Sequence, residues 1–347
     1  MGQQNIPNND SIDTYVTGIL ERQYYTESGP LVKTVEKTLS TLLGVNHVIC
    51  VSNATIAWLM LLEAEELRGT ELFATGSTSL QFLSAANWLK CNVHFIDAQQ
   101  KIFGQERSTL EKSISPHRAS RYVLTNSLCS ADGLHLAHAS KHIKTSDCLF
   151  ESSESFLCAY KGKTLGSIGK AELFNFDPKN LINGQYGAVI ASNDDYLADY
   201  LRNMRGSGGV LRKVKTRLTT NGRMSEAQAA FILMSIDNVE SWINRNKEQY
   251  EIYLDKSTRI EDIEITSAVH TSVSNCQQFS FVTKTQEMYD TILTKAAANG
   301  LEFIPIGEPE ADLNAPSEYK NRQFLLPISG HLTKSNIASL SKCLFAI

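Results

Sequence analysis

Residues 47–67 read HVICVSNATIAWLMLLEAEEL. The opening run, HVICVS, shows no apolar/polar alternation, as expected of a strand buried on both faces of a sheet. The short polar turn SNAT (52–55) follows, and then an apolar stretch long enough for several helical turns. The segment therefore reads as strand, tight turn, helix.

The same unit repeats outward from this point. Downstream, LFATG (72–76) precedes a helix near Leu80–Leu89, and VHFID (93–97) follows. RYVLTN (121–126) precedes a helix near 133–144, and CLFES (148–152), AELFNF (171–176) and GAVIAS (187–192) complete the series. Upstream, PLVKTVEKTLSTLLG (30–44) opens with Pro, closes with Gly and sets Leu31, Val35, Leu39 and Leu42 on one face, an amphipathic helix with suitable ends. Alternating strands and helices predict an α/β fold with a mostly parallel sheet covered by helices. Ligands of such sheets sit at the carboxyl ends of the strands, which gathers SNAT, ESSES and NFDPKN at the mouth of one crevice. Residues 226–254 read as one or two long helices leading to a smaller α+β unit with CQQFSFVT, a helix near 285–299, LEFIPIG, FLLPI and a last helix from 333.

Composition excludes several classes. The 347 residues carry 33 Lys+Arg against 37 Asp+Glu, and 42% are hydrophobic, so the chain is neither disordered nor suited to nucleic acid. No run approaches the ~20 apolar residues of a membrane span, and the polar N-terminus lacks the features of a secretory signal. Seven scattered cysteines, never in CxxC spacing, predict reduced thiols in a cytoplasmic protein.

Individual motifs admit two readings each. SNAT suits either a phosphate at a helix N-terminus or a plain N-cap. Lys179, just after a strand, is a surface lysine or a Schiff-base former. Glu151 and Glu154 end a buried strand and face either solvent or a cationic ring nitrogen. His135, His138 and His142 share a helical face without a fourth ligand of suitable spacing, so no metal is expected. The basic stretch Arg202, Arg205, Arg212, Lys213, Lys215 and Arg217 is a solvated loop or a diphosphate contact, and GSGG (206–209) reads as a loop.

Taken in order, GPLVKTVEKTLSTLLGVNHVICVSNAT, VHFID, YKGKTLGSIGKAELFNF, KNLINGQYGAVIAS and TNGRMSEAQAA make a specific series. The chain resembles the DegT/DnrJ/EryC1/StrS sugar aminotransferases, most closely the branch with SNAT at the phosphate turn, over residues 24–255. In the C-terminal hundred residues only the layout and LLPISGHLT agree. The resemblance implies a three-layer, fold type I pyridoxal phosphate (PLP) domain over residues 1–245, with an N-terminal arm, and a small α+β domain over 246–347. It implies a homodimer with sites at the subunit interface, transferring an amino group, usually from glutamate, to a nucleotide-linked keto sugar. Residue by residue, Lys179 matches the Schiff-base lysine, Ala54 and Thr55 the phosphate turn, and Asn221 an asparagine that reaches the phosphate from the neighbouring subunit.

Four positions depart from the family pattern. Glu151 stands for the aspartate that faces the pyridine nitrogen, and Glu154 for a Gln or His three residues later. Ser79 stands for the aromatic that stacks on the ring. The segment FNFDPK is one residue short, with Asn175 in place of a phosphate-binding serine. Two close carboxylates share a proton in the general case. A second reading follows from these departures: a homologue without catalysis, serving as a subunit or binding partner of an active paralogue. Sugar dehydration, which relatives perform with histidine at the lysine position, is disfavoured by Lys179.

Overall fold

The computed structural model describes residues 9–23, 29–96, 121–141, 143–206, 216, 218–300 and 322–345. The unit read first from the sequence is β1 (His47–Val51), the Ser52–Asn53 turn and α3 (Ala54–Ala64). Before it, α1 spans Asn9–Arg22 and α2 Pro30–Leu43. Helix α2 begins with proline at its first turn and ends at Gly44, whose φ of 65° is a left-handed cap. Its first free N–H groups, on Leu31 and Val32, donate to the buried carboxylate of Glu226 at 2.9 and 3.1 Å. A negative group there satisfies the orphan donors and meets the positive end of the helix dipole.

The main sheet adds β2 (Glu71–Thr75), β3 (Asn92–Ile96), β4 (Arg121–Thr125), β5 (Leu149–Glu151), β8 (Ala171–Asn175) and β9 (Ala188–Ser192) in the order β1-β9-β8-β5-β4-β2-β3. Pairing is parallel through β8-β5-β4-β2-β3, while β9 runs antiparallel to both of its neighbours. Reading GAVIAS as a strand was sufficient to find β9 but not its direction, which depends on the path of the chain rather than on apolar runs.

Successive strand residues enter opposite layers. Ile49, Leu72, Leu149 and Leu173 pack against α3, α4 (Leu80–Trp88) and α6 (Asp195–Arg205). Val48, Phe150 and Phe174 face the other side, where α2, α5 (Asp132–Ala139) and the start of α7 (Glu226–Ser257) lie. This burial on both faces is what HVICVS recorded. A two-stranded ribbon, β6 (Ala159–Tyr160) and β7 (Lys163–Thr164), projects between β5 and β8.

Helix α7 is a single helix of 32 residues, begun by a capping box of Ser225 and Gln228. Its second half packs on an antiparallel sheet of β10 (Ile263–Ile265), β11 (Phe279–Thr283) and β12 (Gln323–Leu326), with α8 (Gln286–Ala298) and α9 (Lys334–Phe345). The strand β10 was not read in the sequence. The helix expected over 133–144 stops at Ala139, and a 3-10 turn follows at Thr145–Asp147. His142, LEFIPIG, most of GSGG, and Arg212, Lys213, Lys215 and Arg217 lie outside the described residues.

Candidate active site

Strands β2, β4, β5 and β8 end along one edge of the sheet. Glu151 closes β5 there, paired in register with Thr125 and Leu173, and only 4% of it is exposed. Its Oε2 accepts from Ser79 Oγ at 2.8 Å. Ser79 is also the N-cap of α4, where its Oγ accepts from Phe82 N at 3.2 Å. Burial raises the Glu151 carboxyl to about 7, against the lowering effect of Ser79 and of the nearby indole N–H of Trp58, which falls short of a hydrogen bond. No cation contacts Glu151 among the described residues. Three further buried polar atoms close by in the chain's layout, Trp58 Nε1, Thr78 Oγ1 and Thr125 Oγ1, have no hydrogen-bond partner. Groups of this kind are rare in folded interiors, and a bound water, ion or ligand is among the things that satisfy them.

Glu154 has partners of its own. Glu154 Oε2 accepts from Leu128 N at 2.9 Å, and the Glu154 carbonyl holds Asn275 and Gln277. Its charge raises Glu151 only as a lesser contribution beside burial. Burial is the largest cause that raises Glu151, and the Glu154 charge adds to it.

At the Ser52–Thr55 turn the N-cap reading holds. Asn53 caps α3, its Oδ1 accepting from Ile56 N at 2.9 Å. The N–H groups of Ala54 and Thr55, the first two of the helix, have no partner among the described residues. The turn is held from outside: Ser52 N donates to Gly222 O at 2.8 Å, and Gln228 Nε2 donates to Ser52 O at 2.9 Å and to Gln185 O at 3.2 Å. Gly222 is required here, since a Cβ would lie 2.8 Å from Ile56 Cγ2. Asn221 is exposed beside this turn, its Oδ1 accepting from Arg223.

Beyond β8 the chain makes a turn at Asp177–Asn180, closed by Asn180 N to Asp177 O at 2.9 Å and by Asn180 Nδ2 to Asn175 O at 2.7 Å. Pro178 is buried and Lys179 is exposed, with no ion pair among the described residues. Asn175 is buried. Its N–H donates to Ser153 Oγ at 2.8 Å, and its Nδ2 reaches Asp177 Oδ2 at 3.4 Å. The shortened FNFDPK segment is thus a closed, internally bonded turn.

Several of these roles were not read from the sequence: Ser79 as a partner of Glu151, Gln228 as the clamp of the phosphate-type turn, and the buried Trp58, Thr78 and Thr125. Ser and Gln before or at a helix start signal capping, but the second bond of each crosses between distant segments. Of the histidine face, His135 and His138 are described and His142 is not. His135 stacks on His270 with centroids 3.7 Å apart, His138 is exposed, and no cluster of three metal-binding side chains occurs among the described residues. Of the basic stretch, Arg205 is committed to Glu36 at 2.5 Å and to Cys50 O at 2.8 Å, and Arg202 lies 3.7 Å from Asp199.

Comparison with known proteins gives consistent matches. The model of the DegT/DnrJ/EryC1/StrS aminotransferase family matches residues 8–340. GDP-perosamine synthase of Caulobacter vibrioides is 26% identical over 251 residues, covering 71% of this chain and 67% of the relative. GDP-perosamine synthase of Escherichia coli O157:H7 is 23% identical over 305 residues, covering 85% and 81%. Among solved structures, DesI in the presence of its TDP-sugar product aligns with a TM-score of 0.82 at 23% identity, over 99% of this chain and 91% of that one. The E. coli GDP-4-keto-6-deoxy-D-mannose-3-dehydratase with bound hydrated PLP aligns with a TM-score of 0.82 at 16% identity, over 99% and 98%. The fold is that of fold type I PLP enzymes.

Proposed function

Since the chain belongs to the DegT/DnrJ/EryC1/StrS aminotransferase family, we propose that it is a PLP-dependent transaminase that moves an amino group, from glutamate, to a nucleotide-linked keto-deoxysugar. The observation that carries this reading is Glu151: a carboxylate buried at the end of a central strand, without a cation, beside buried polar atoms that lack partners. A protonated pyridine nitrogen supplies the missing positive charge. The residues present fit the cofactor.

In this reading Ala54 N and Thr55 N, at the positive end of α3, bind the cofactor phosphate, and Asn221 extends to the phosphate of the neighbouring subunit. Asn175 stands at the same edge and frames the phosphate side. Glu151 would hold the proton of the ring nitrogen, with Ser79 fixing the carboxylate. Glu154 braces the loop at Leu128. Lys179 would provide the amine that holds the cofactor and would then serve to carry a proton. When bound, PLP acts as an electron sink for carbanion chemistry at the amino-bearing carbon. The Trp58 indole and the apolar layer behind it exclude water from Glu151, which keeps its charge dependent on the ligand.

We assign the two units as 1–245 and 246–347, a division that falls within α7, so that one helix belongs to both. We further assign the chain to the cytoplasm as a homodimer. Seven unpaired cysteines support a reducing compartment, and among the described residues no helix is long and apolar enough to cross a membrane.

The test is an absorption spectrum of purified protein with added PLP, before and after glutamate. Uptake with a visible band that glutamate bleaches, lost in Lys179→Ala, is expected. A protein that takes up no PLP overturns the reading and returns the alternative, a non-catalytic subunit of an active paralogue.

A further inference from the structure

A second glutamate lies buried on the neighbouring strand. Glu172 on β8 is 2% exposed and pairs in register with Phe150, one residue before Glu151. Its strand neighbours Ala171 and Leu173 belong to the layer that Glu151 faces, so Glu172 points to the opposite side of the sheet. It meets no cation among the described residues, and its two oxygens accept from Ser152 Oγ and from Gly166 N.

The hydrogen-bond pattern fixes who donates. Asn126 Oδ1 accepts from Leu134 N at 3.0 Å, which orients the Asn126 amide. Its Nδ2 then donates to Ser152 Oγ at 2.8 Å. Ser152 has one proton, and it goes to Glu172. Gly166 can only donate. Glu172 therefore occupies a position that asks for two acceptors, which a carboxylate supplies and an amide does not.

This network closes around a single peptide unit, the one joining Glu151 to Ser152. Asn126 N donates to Glu151 O at 2.8 Å, and Ser152 N donates to Leu173 O at 3.0 Å. Asn126 and Glu172 hold the Ser152 side chain. A buried carboxylate without a cation lowers stability unless fully bonded, so packing alone does not account for Glu172. We propose that Glu172 is a positioning residue: from the far face of the sheet it fixes the Glu151–Ser152 peptide and so aims the Glu151 carboxylate into the crevice.

The inference rests on the reading of Glu151 given above. The test compares wild type, Glu172→Gln and Ser152→Ala in three measurements: PLP affinity, the pH profile of the visible absorption of the bound cofactor, and hydrogen exchange of residues 150–155 in the cofactor-free protein. In Glu172→Gln the amide NH2 faces a second donor and one bond is lost. The expected result is faster exchange in 150–155 with β1 unchanged, about tenfold weaker PLP binding, and a shifted pH profile, with kcat reduced about tenfold to a hundredfold. Ser152→Ala keeps the Gly166 bond to Glu172 and, should Glu172→Gln fold poorly, is expected to give the same shifts. Variants that melt earlier but keep wild-type PLP affinity and pH profile overturn the proposal. A wild-type chain that takes up no PLP overturns the functional reading itself, a failure seen before any variant is compared.

Discussion

Ser79 Oγ joins two elements with one atom: it accepts from Phe82 N to start α4 and donates to Glu151 Oε2 at 2.8 Å. At the position where the family resemblance leads one to expect a ring-stacking aromatic, this chain has a hydroxyl bonded to the acid. The glutamate reaches one methylene further than an aspartate, and the serine gives that longer side chain a fixed partner. The hydroxyl and the longer acid thus meet directly, across 72 positions of the chain.

Replacing Ser79 by Ala removes the cap and the bond to Glu151 together. Loss of an N-cap alone costs about 1 kcal/mol, and the bond to a charged group costs about 1.5–3 more when broken. Ser79→Thr, which keeps the hydroxyl, is expected to retain most of both. Thermal melts of the two variants check this, with Ser79→Ala the less stable.

The pH dependence of the cofactor-free protein follows from Glu151 and Glu172, each raised by burial to about 7 from an ordinary value of 4.5. The folded state then binds more protons than the unfolded state between these values. Stability is highest below pH 4.5 with respect to these groups and is lost as pH rises through 7, by roughly 3 kcal/mol for each. Glu151→Gln and Glu172→Gln should each flatten part of that slope. Bound PLP should remove the Glu151 part, because a cationic ring nitrogen then pairs with the charge. Melting temperatures from pH 5 to 8, with and without PLP, report both effects.

Lys179 is exposed and unpaired among the described residues, so its removal should leave stability within about 0.5 kcal/mol of wild type. Activity and the visible band should vanish. A large fall in melting temperature for Lys179→Ala would contradict this placement.

At Gly222 a methyl group would sit 2.8 Å from Ile56 Cγ2 and 2.9 Å from Thr220 Oγ1. Gly222→Ala must push the segment away from α3, breaking the bond from Ser52 N. Overpacking of this kind costs about 1–3 kcal/mol. Because Ser52 precedes the free N–H groups of Ala54 and Thr55, inorganic phosphate and PLP should both bind more weakly, measurable by calorimetry.

Glu226 offers a contrast, since its carboxylate serves the start of α2 and not the Ser52 turn. Glu226→Ala leaves the N–H groups of Leu31 and Val32 buried without acceptors. A loss of about 2–4 kcal/mol is expected, with PLP affinity unchanged in the folded fraction. Denaturant titration and PLP titration on the same sample separate the two.

The sequence by itself determined the layered α/β architecture. HVICVS, LFATG, RYVLTN and AELFNF are apolar on both faces, and only a central sheet between helices buries both. It also marked Thr55, Glu151 and Lys179 as candidates, because each lies at or shortly after the end of such a run. Tertiary structure alone decided how they are tuned. Glu154 bonds Leu128 N, and burial is the largest cause that raises the Glu151 carboxyl. Ser79 looked like a lost aromatic and is a hydrogen-bond donor. The direction of β9, the Gln228 clamp and the Glu172–Ser152 link likewise join residues far apart in the chain. A run of side chains records which surfaces avoid water; it does not record which distant donor meets which acceptor, and that pairing sets charge and aim.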